Sequence, residues 1–568
     1  LHQLESYLFF KCSNITDIEI PNSVTSIGEE VFSECSSLSY IVIPNGVTSL
    51  ESGIFSWCSD LSNITIGNGV ISIGDIAFYE CISLTSIIIP NNAISIGDNA
   101  FSGCYALTSI IIPNSIKSLG TAVFYECSSL KTIVIPNSIT SIGMTAFYDC
   151  YSLTNITIPD SVISIGESAF YECLSLTTMI IPNRVTSIEY STFYGCLSLS
   201  RIKIGTSVSS IKPSAFSECS RLLNITFGNK VTSIGKSAFD RCFSLITVKL
   251  PNSITSIGGN AFSDCLSLRN ITFGNKVESI GENAFNRCFS LANIVIPNSV
   301  ISIGEFAFYN CPNLSSITIG KKVESIGESA FSGCYSLTNI TIKTTKNITE
   351  SIAVNAFDGC LVSYLFYETT EFTLISFDGF QNKVQAIKFN ISNSKSIRKI
   401  QEITSLPSLS HFTKLKYIII QNINDLTIPE SFAKGDDIEI FIANNIKYID
   451  PYAFKDCSIS KFTYLGTDKL EGNFLKNAKS CQEVITSSEY NYNKIGGKAI
   501  NLKFNKVTGK YEKPNNNIGK IIGIVVGVLA ALIIIGVIGF IIYKRKSAKK
   551  ADNSNIDEEE NNIVAENP

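Results

Sequence analysis

Residues 107–130 read LTSIIIPNSIKSLGTAVFYECSSL, and this stretch decides the fold. Ile110-Ile111-Ile112 is a short period-two run, so Ile110 and Ile112 face one way and Ile111 the other, as on a strand. Pro113-Asn114 ends that strand at a turn. Ile116 and Leu119, closed by Gly120, make a second short extended leg. Phe124, Cys127 and Leu130 then recur every third position, which predicts a helical or 3₁₀ turn for the return leg. Each leg has one apolar and one polar edge. One such coil cannot bury enough surface to be stable, whereas stacked coils bury one another's edges as a continuous core.

The same pattern extends outward with a period of 23. Phe stands at 9, 32, 55 and every 23 residues to Phe331, and Cys follows three residues later each time, from Cys12 to Cys334. No insertion interrupts the run. Phe357 and Cys360 form a unit displaced by three residues, Phe380 lacks its Cys, and the register is lost over about 381–430. Phe432 and then Ala453-Phe454-x-x-Cys457 recover it. The organisation expected is a regular solenoid over 1–360, degenerate repeats with a cap over 361–480, and a stalk over 481–517. A membrane helix over 518–543 and a short tail over 544–568 complete it. Because the chain opens at Leu1, already inside a repeat, a preceding segment is also expected.

Stretches such as Leu84-Thr85-Ser86-Ile87-Ile88-Ile89-Pro90-Asn91 and Ile96-Gly97-Asp98-Asn99-Ala100-Phe101-Ser102-Gly103-Cys104 resemble the BspA-like, Treponema-type leucine-rich repeats of bacterial and protist surface proteins. The resemblance is strong over about 1–360 and weaker over 361–480. It implies a leucine-rich-repeat solenoid of about 23-residue coils with short parallel strands. It also implies a role at the cell surface in adhesion or recognition, without naming a ligand. Leu-x-x-Ile-x-Ile-Pro replaces the longer Leu/Asn signature of receptor-type repeats, so ligand rules from those receptors do not transfer.

Nothing in the sequence points to catalysis. The 18 cysteines are mostly one repeat position used again and again, and parallel side chains in one column are poorly placed for disulfides. A reduced, buried column is the expectation, with scattered disulfides involving Cys360, Cys457 or Cys481 and a metal site as alternatives. His2 and His411 are the only histidines, and neither sits in a zinc-hydrolase or triad context. Glu126, Asp149 and Glu172 recur with the repeat and read as solvated turn residues rather than a singular catalytic pair. No phosphate-binding glycine motif is present. No enzyme, no cofactor and no metal are expected. The formal net charge of −4 argues against a nucleic-acid partner.

Residues 521–542 are continuously apolar and uncharged, long enough to cross a bilayer as a helix. Tyr543-Lys544-Arg545-Lys546 follows, which predicts a single-pass plasma-membrane form with the repeats outside and the C-terminus in the cytoplasm. The lipid bilayer and a cytoplasmic tail-binding protein would then be partners. Gly519, Gly523, Gly527 and Ala531 form a small-residue stripe that would suit a homodimer. Acceptor triplets for N-glycosylation begin at Asn14, Asn63, Asn155, Asn224, Asn270, Asn313, Asn339, Asn347 and Asn390, in keeping with an extracellular glycoprotein. An intracellular tail-anchored scaffold is the alternative topology.

The position between the two strand isoleucines should face outward in every coil. It holds Ile88, Ile111 and Val134 in three consecutive turns, an apolar strip expected to seed a partner contact, with Lys203 and Lys249 further along the same column. β-branched residues also suit exposed strands for their own sake. The function expected is adhesion or recognition of an extracellular protein or glycan. A signalling or uptake receptor and a passive coat are the alternatives.

Overall fold

The computed structural model describes residues 2–343, 352–353, 355–368, 383–390, 406, 408–422 and 426–513. These residues belong to one compact unit, Leu1–Glu512, apart from Lys513. It is a solenoid of parallel strands. In most regular coils the first leg is a three-residue strand such as Ser109–Ile111, flanked in register by Ser86–Ile88 and Thr132–Val134. The second leg is a two-residue strand such as Ser118–Leu119, which pairs with Ser141–Ile142 of the next coil. The middle residue of the first leg is buried and its two neighbours are exposed, which is the alternation the Ile-x-Ile pattern requires.

The core consists of columns. Phenylalanine rings from Phe9 to Phe357 stack coil on coil with centroids 5.0–5.6 Å apart and planes within 2–19° of parallel. Those spacings lie in the favourable range for aromatic pairs. Beside them runs the cysteine column. Each thiol from Cys35 to Cys334 donates to the carbonyl of the preceding coil's phenylalanine at 3.0–3.3 Å. All the cysteines are free, including Cys360, Cys457 and Cys481, so the reduced column is what forms and the disulfide alternative is not. Burial pushes the Cys35 thiol up to about 11 and drives Cys81, Cys127 and Cys173 well above the ordinary thiol range.

The return leg corrects the helical expectation. Phe124 N–H donates to the Ala146 carbonyl at 2.9 Å, and Ala122 and Glu126 donate likewise to Met144 and Tyr148 at 2.8 and 2.7 Å. Tyr125 and Cys127 instead donate back within the coil, to Ala122 and Phe124. A helix would keep all these N–H groups for itself and leave nothing for the next coil. Alternation is achieved with two left-handed residues per coil, here Ala122 at φ 52° and Glu126 at φ 56°. Coils also meet tightly at the glycine that closes the second leg. A Cβ on Gly143 would lie 2.4 Å from the Gly120 carbonyl oxygen.

Beyond the regular coils the first-leg ladder continues with longer strands. It runs through Asn339–Ile342, Tyr364–Tyr367, Ala386–Asn390, Tyr417–Gln421, Lys434–Ile442, Asp456–Tyr464 and Ser480–Ser487, all parallel. Leu502–Asn505 extends it, and Lys510–Glu512 folds back antiparallel. The sheet therefore reaches into residues 481–517, the segment the sequence reads as stalk. There Tyr490 is fully buried and meets Tyr464 edge-on, with ring centroids 5.7 Å apart.

The membrane form is corrected as well. The described residues are all β-strand and turn, and among them no helix is long and apolar enough to cross a membrane. Residues 518–543 and 544–568, with Gly519, Gly523, Gly527 and Ala531, lie outside the described residues. The fold that the described residues support is the solenoid alone, and they include no transmembrane helix. The bilayer as a partner, the single-pass plasma-membrane placement and the cytoplasmic tail with its binding protein therefore find no support among the described residues.

Candidate functional site

The outward face of the first-leg strands is a surface repeated from coil to coil, and its chemistry changes along its length. Ile88, Ile111 and Val134 lie directly beside one another in a three-stranded sheet of their own, Ile111 paired with both neighbours. They are 83%, 75% and 70% exposed. Their strand companions Ser86, Ser109 and Thr132 share that outward face and are also exposed. Burial of the middle residues Ile87, Ile110 and Ile133 fixes this orientation, because a one-residue slip would turn core residues outward.

Lys203 and Lys249 do not join the strip. They belong to a separate sheet that begins at Thr178–Ile180, where Ile180 pairs with Lys203 and Lys249 with Thr272. Ile180 is 64% exposed, so its contact with Lys203 makes a second, smaller mixed patch. Of the acceptor asparagines, Asn63, Asn155, Asn224 and Asn270 are exposed on this face, as is Asn14 beside it. Asn313 and Asn339 have their amide groups engaged, donating to the Phe289 carbonyl and to Thr338. Asn347 lies outside the described residues, and Asn390 ends a first-leg strand.

A feature sequence reasoning missed lies on the return leg. Tyr125, Tyr148, Tyr171 and Tyr194 stack with centroids 4.4–4.8 Å apart. Glu126, Asp149 and Glu172 follow them as a half-buried column rather than as freely solvated residues. Tyr105 donates to Glu126 at 2.9 Å and Tyr151 to Asp149 at 2.8 Å. Partial burial, then the neighbouring charges of Asp149 and Glu218, hold the Glu172 carboxyl above its ordinary range. Further along, Arg241 and Arg287 neutralise the column through ion pairs to Glu218 at 2.7 Å and Asp264 at 3.0 Å. The residue after each Phe and the residue before each Cys were the signal. Read as columns rather than along one coil, they show the tyrosines falling in consecutive turns. Because the rings cover one another's faces, this ladder presents edges and not open aromatic platforms.

Comparison with known proteins places the chain. The pattern of the BspA type leucine-rich repeat region matches residues 2–131, 49–160, 140–269, 256–386 and 350–482. The chain belongs to the BspA-type leucine-rich repeat family. Over 164 residues it is 61% identical to a Trichomonas vaginalis protein described as a bspA-like surface protein. That match covers 28% of this chain and 26% of the other, so the chain spans about a quarter of the length of the curated relative it matches. A leucine-rich repeat protein from Bacteroides ovatus is 30% identical over 60% of this chain and 82% of its own, with a TM-score of 0.46. A leucine-rich cell surface protein from Faecalibacterium prausnitzii is also 30% identical, over 60% of this chain and 91% of its own, with a TM-score of 0.37. Both scores are too low for overall shape to carry an argument. Among the described residues no group of His, Cys, Asp and Glu could hold a metal ion, and the BspA-type repeat solenoid is an architecture consistent with protein or glycan contact.

Proposed function

We propose that this BspA-type protein acts in adhesion or recognition at the cell surface, binding a protein partner through the strip Ile88, Ile111 and Val134. The observation that carries the reading is the three-stranded sheet with an exposed β-branched aliphatic side chain on every strand. Covering such a side chain contributes on the order of 1.5–3 kcal/mol, so three adjacent ones left in water favour an apolar partner surface. The strip offers methyl groups and few polar ones, which suits an apolar protein surface better than the hydroxyls of a glycan. The relative's description as a surface protein points the same way.

Replacing all three residues with Thr keeps the β-branched shape and removes the apolar face. The full chain should fold unchanged by circular dichroism and lose at least ~10-fold in affinity for target cells. Wild-type binding by the folded triple variant would rule the strip out. Inhibition by free oligosaccharides instead of by the triple change would point to a glycan ligand.

A further inference from the structure

The acceptor asparagines are distributed on the strand face by rule. In a strand whose middle residue is buried, Asn and the Thr two positions later both point outward. Asn63-Ile64-Thr65, Asn155-Ile156-Thr157, Asn224-Ile225-Thr226 and Asn270-Ile271-Thr272 all have this arrangement, with the isoleucine buried and the outer two residues exposed. None of the four asparagine side chains hydrogen-bonds to another described residue, so each amide faces solvent unengaged. The many turn asparagines, such as Asn114 before Ile116, cannot be acceptors because the position two later is a core residue.

Acceptor coils and apolar coils exclude each other. Every regular coil with an Asn acceptor in its first leg carries Thr at the outward position. The coils of Ile88, Ile111, Val134 and Ile180 have Ser or Thr where the Asn would stand, and Asn293 is followed by Val295. No two of these four acceptors occupy adjacent coils. The widest interval between successive ones runs from Asn63 to Asn155, about 19 Å at the usual strand spacing. It encloses the apolar sheet and ends at the single bridge that joins Thr132 to Asn155.

We infer that Asn63, Asn155, Asn224 and Asn270 carry N-linked glycans, and that the first two frame the Ile88–Ile111–Val134 sheet as a bare window. In the transfer the Asn Nδ2 bonds to the anomeric carbon of a lipid-pyrophosphate-linked oligosaccharide. The carbon–oxygen bond to the pyrophosphate breaks, the amide gives up one proton, and the lipid pyrophosphate leaves. The glycans are bulky and hydrophilic. At 63 and 155 they discourage lateral packing of solenoids on this face while leaving the window open. At 224 and 270 they flank Lys249, whose strand lies between theirs. This inference rests on the surface reading above in requiring passage through the secretory route.

The test is peptide-level mass spectrometry of the full chain recovered from the outside of the cells that make it, before and after peptide N-glycosidase treatment. Enzyme-dependent conversion of Asn to Asp at 63, 155, 224 and 270 is expected, and N63Q and N155Q should each lose one glycan. Surface protein with unmodified Asn63 and Asn155 overturns the inference and leaves the surface reading standing. Protein confined inside the cell and unglycosylated overturns both. The double variant S109N/I111T builds Asn-Ile-Thr inside the window, and its glycan should abolish cell binding while N63Q and N155Q retain it. Unchanged binding by the glycosylated double variant would overturn the window and leave the four modifications intact.

Discussion

The regular coils before residue 343 and the strands after 355 hold the same parallel ladder in different ways. In the regular coils the strands are two to four residues long, and coil-to-coil hydrogen bonds are spread over all three legs. Aligned phenylalanine and cysteine columns supply the rest of the grip. In the C-terminal part the ladder is concentrated in strands of up to nine residues, such as Lys434–Ile442 and Asp456–Tyr464. Past the stacked pair of Tyr367 and Phe389 the described rings leave the stack, with Phe454 meeting Phe432 and Phe474 edge-on at 6.1 and 6.3 Å. The step changes too, since Tyr417 pairs with Glu439, Glu439 with Lys461 and Lys461 with Glu483, each 22 residues apart. A solenoid can thus give up strict side-chain periodicity where its backbone ladder lengthens. The regular coils lack that option.

The largest expected difference between the two regions is in alkali. A thiol whose folded value is raised stays protonated in the folded state after the unfolded chain has begun to ionise at about pH 8.5. Its contribution is therefore fully present below that pH and is lost as pH rises toward the folded value, by up to about 1.4 kcal/mol per thiol per pH unit. The regular coils carry a long column of such thiols, whereas the longer-strand region after Tyr364 has Cys457, pushed up to about 12, and Cys481, pushed up to about 11. Hydrogen exchange from pH 8 to 10, corrected for intrinsic rate, should show the regular coils losing protection first. Equal loss in both regions would deny the column its role.

A smaller effect separates ring column from backbone. Phe170 lies between Phe147 and Phe193 in the stack and is fully buried. Phe170→Ala should cost about 3–5 kcal/mol in urea unfolding. A cost near 1 kcal/mol would mean that the short ladders alone hold these coils.

The smallest concerns the return leg, which the C-terminal region largely replaces with strand. Ala122 is held at φ 52°, where a Cβ costs roughly 1–2 kcal/mol and Gly pays only its extra chain entropy. Ala122→Gly should stabilise the protein by about 0.5–1 kcal/mol, read as a rise in thermal midpoint. A fall would show that the methyl's packing outweighs its strain.

The strands, the core columns and the apolar strip were legible because side-chain alternation is written directly into Ile-x-Ile, Phe-x-x-Cys and the outward position of each coil. The return leg was not. Its left-handed positions are occupied by Glu80, Thr145, Ile76, Trp57 and even Phe306, residues that do not announce positive φ. The requirement comes from the neighbouring coil's carbonyls, which no single coil reveals. The separation of Lys203 from the strip was hidden for a related reason. A shared column position says nothing about where the sheet breaks, and it breaks on either side of Thr157. Over 381–430 the register was unreadable because Ala386 pairs with Tyr417, a step of 31 that follows no repeat.

Every regular coil offers its successor the same upper surface that its predecessor offered it: a phenyl face, a phenylalanine carbonyl for the next thiol, and open peptide groups on three legs. The units are therefore interchangeable building courses. Removing residues 109–131 would bring Thr132 against Ser86 with every column intact, shortening the molecule by one course. The same excision would narrow the apolar face from three side chains to two. Length, and with it the reach and width of the binding face, is a quantity this architecture can change in whole steps without redesigning its core.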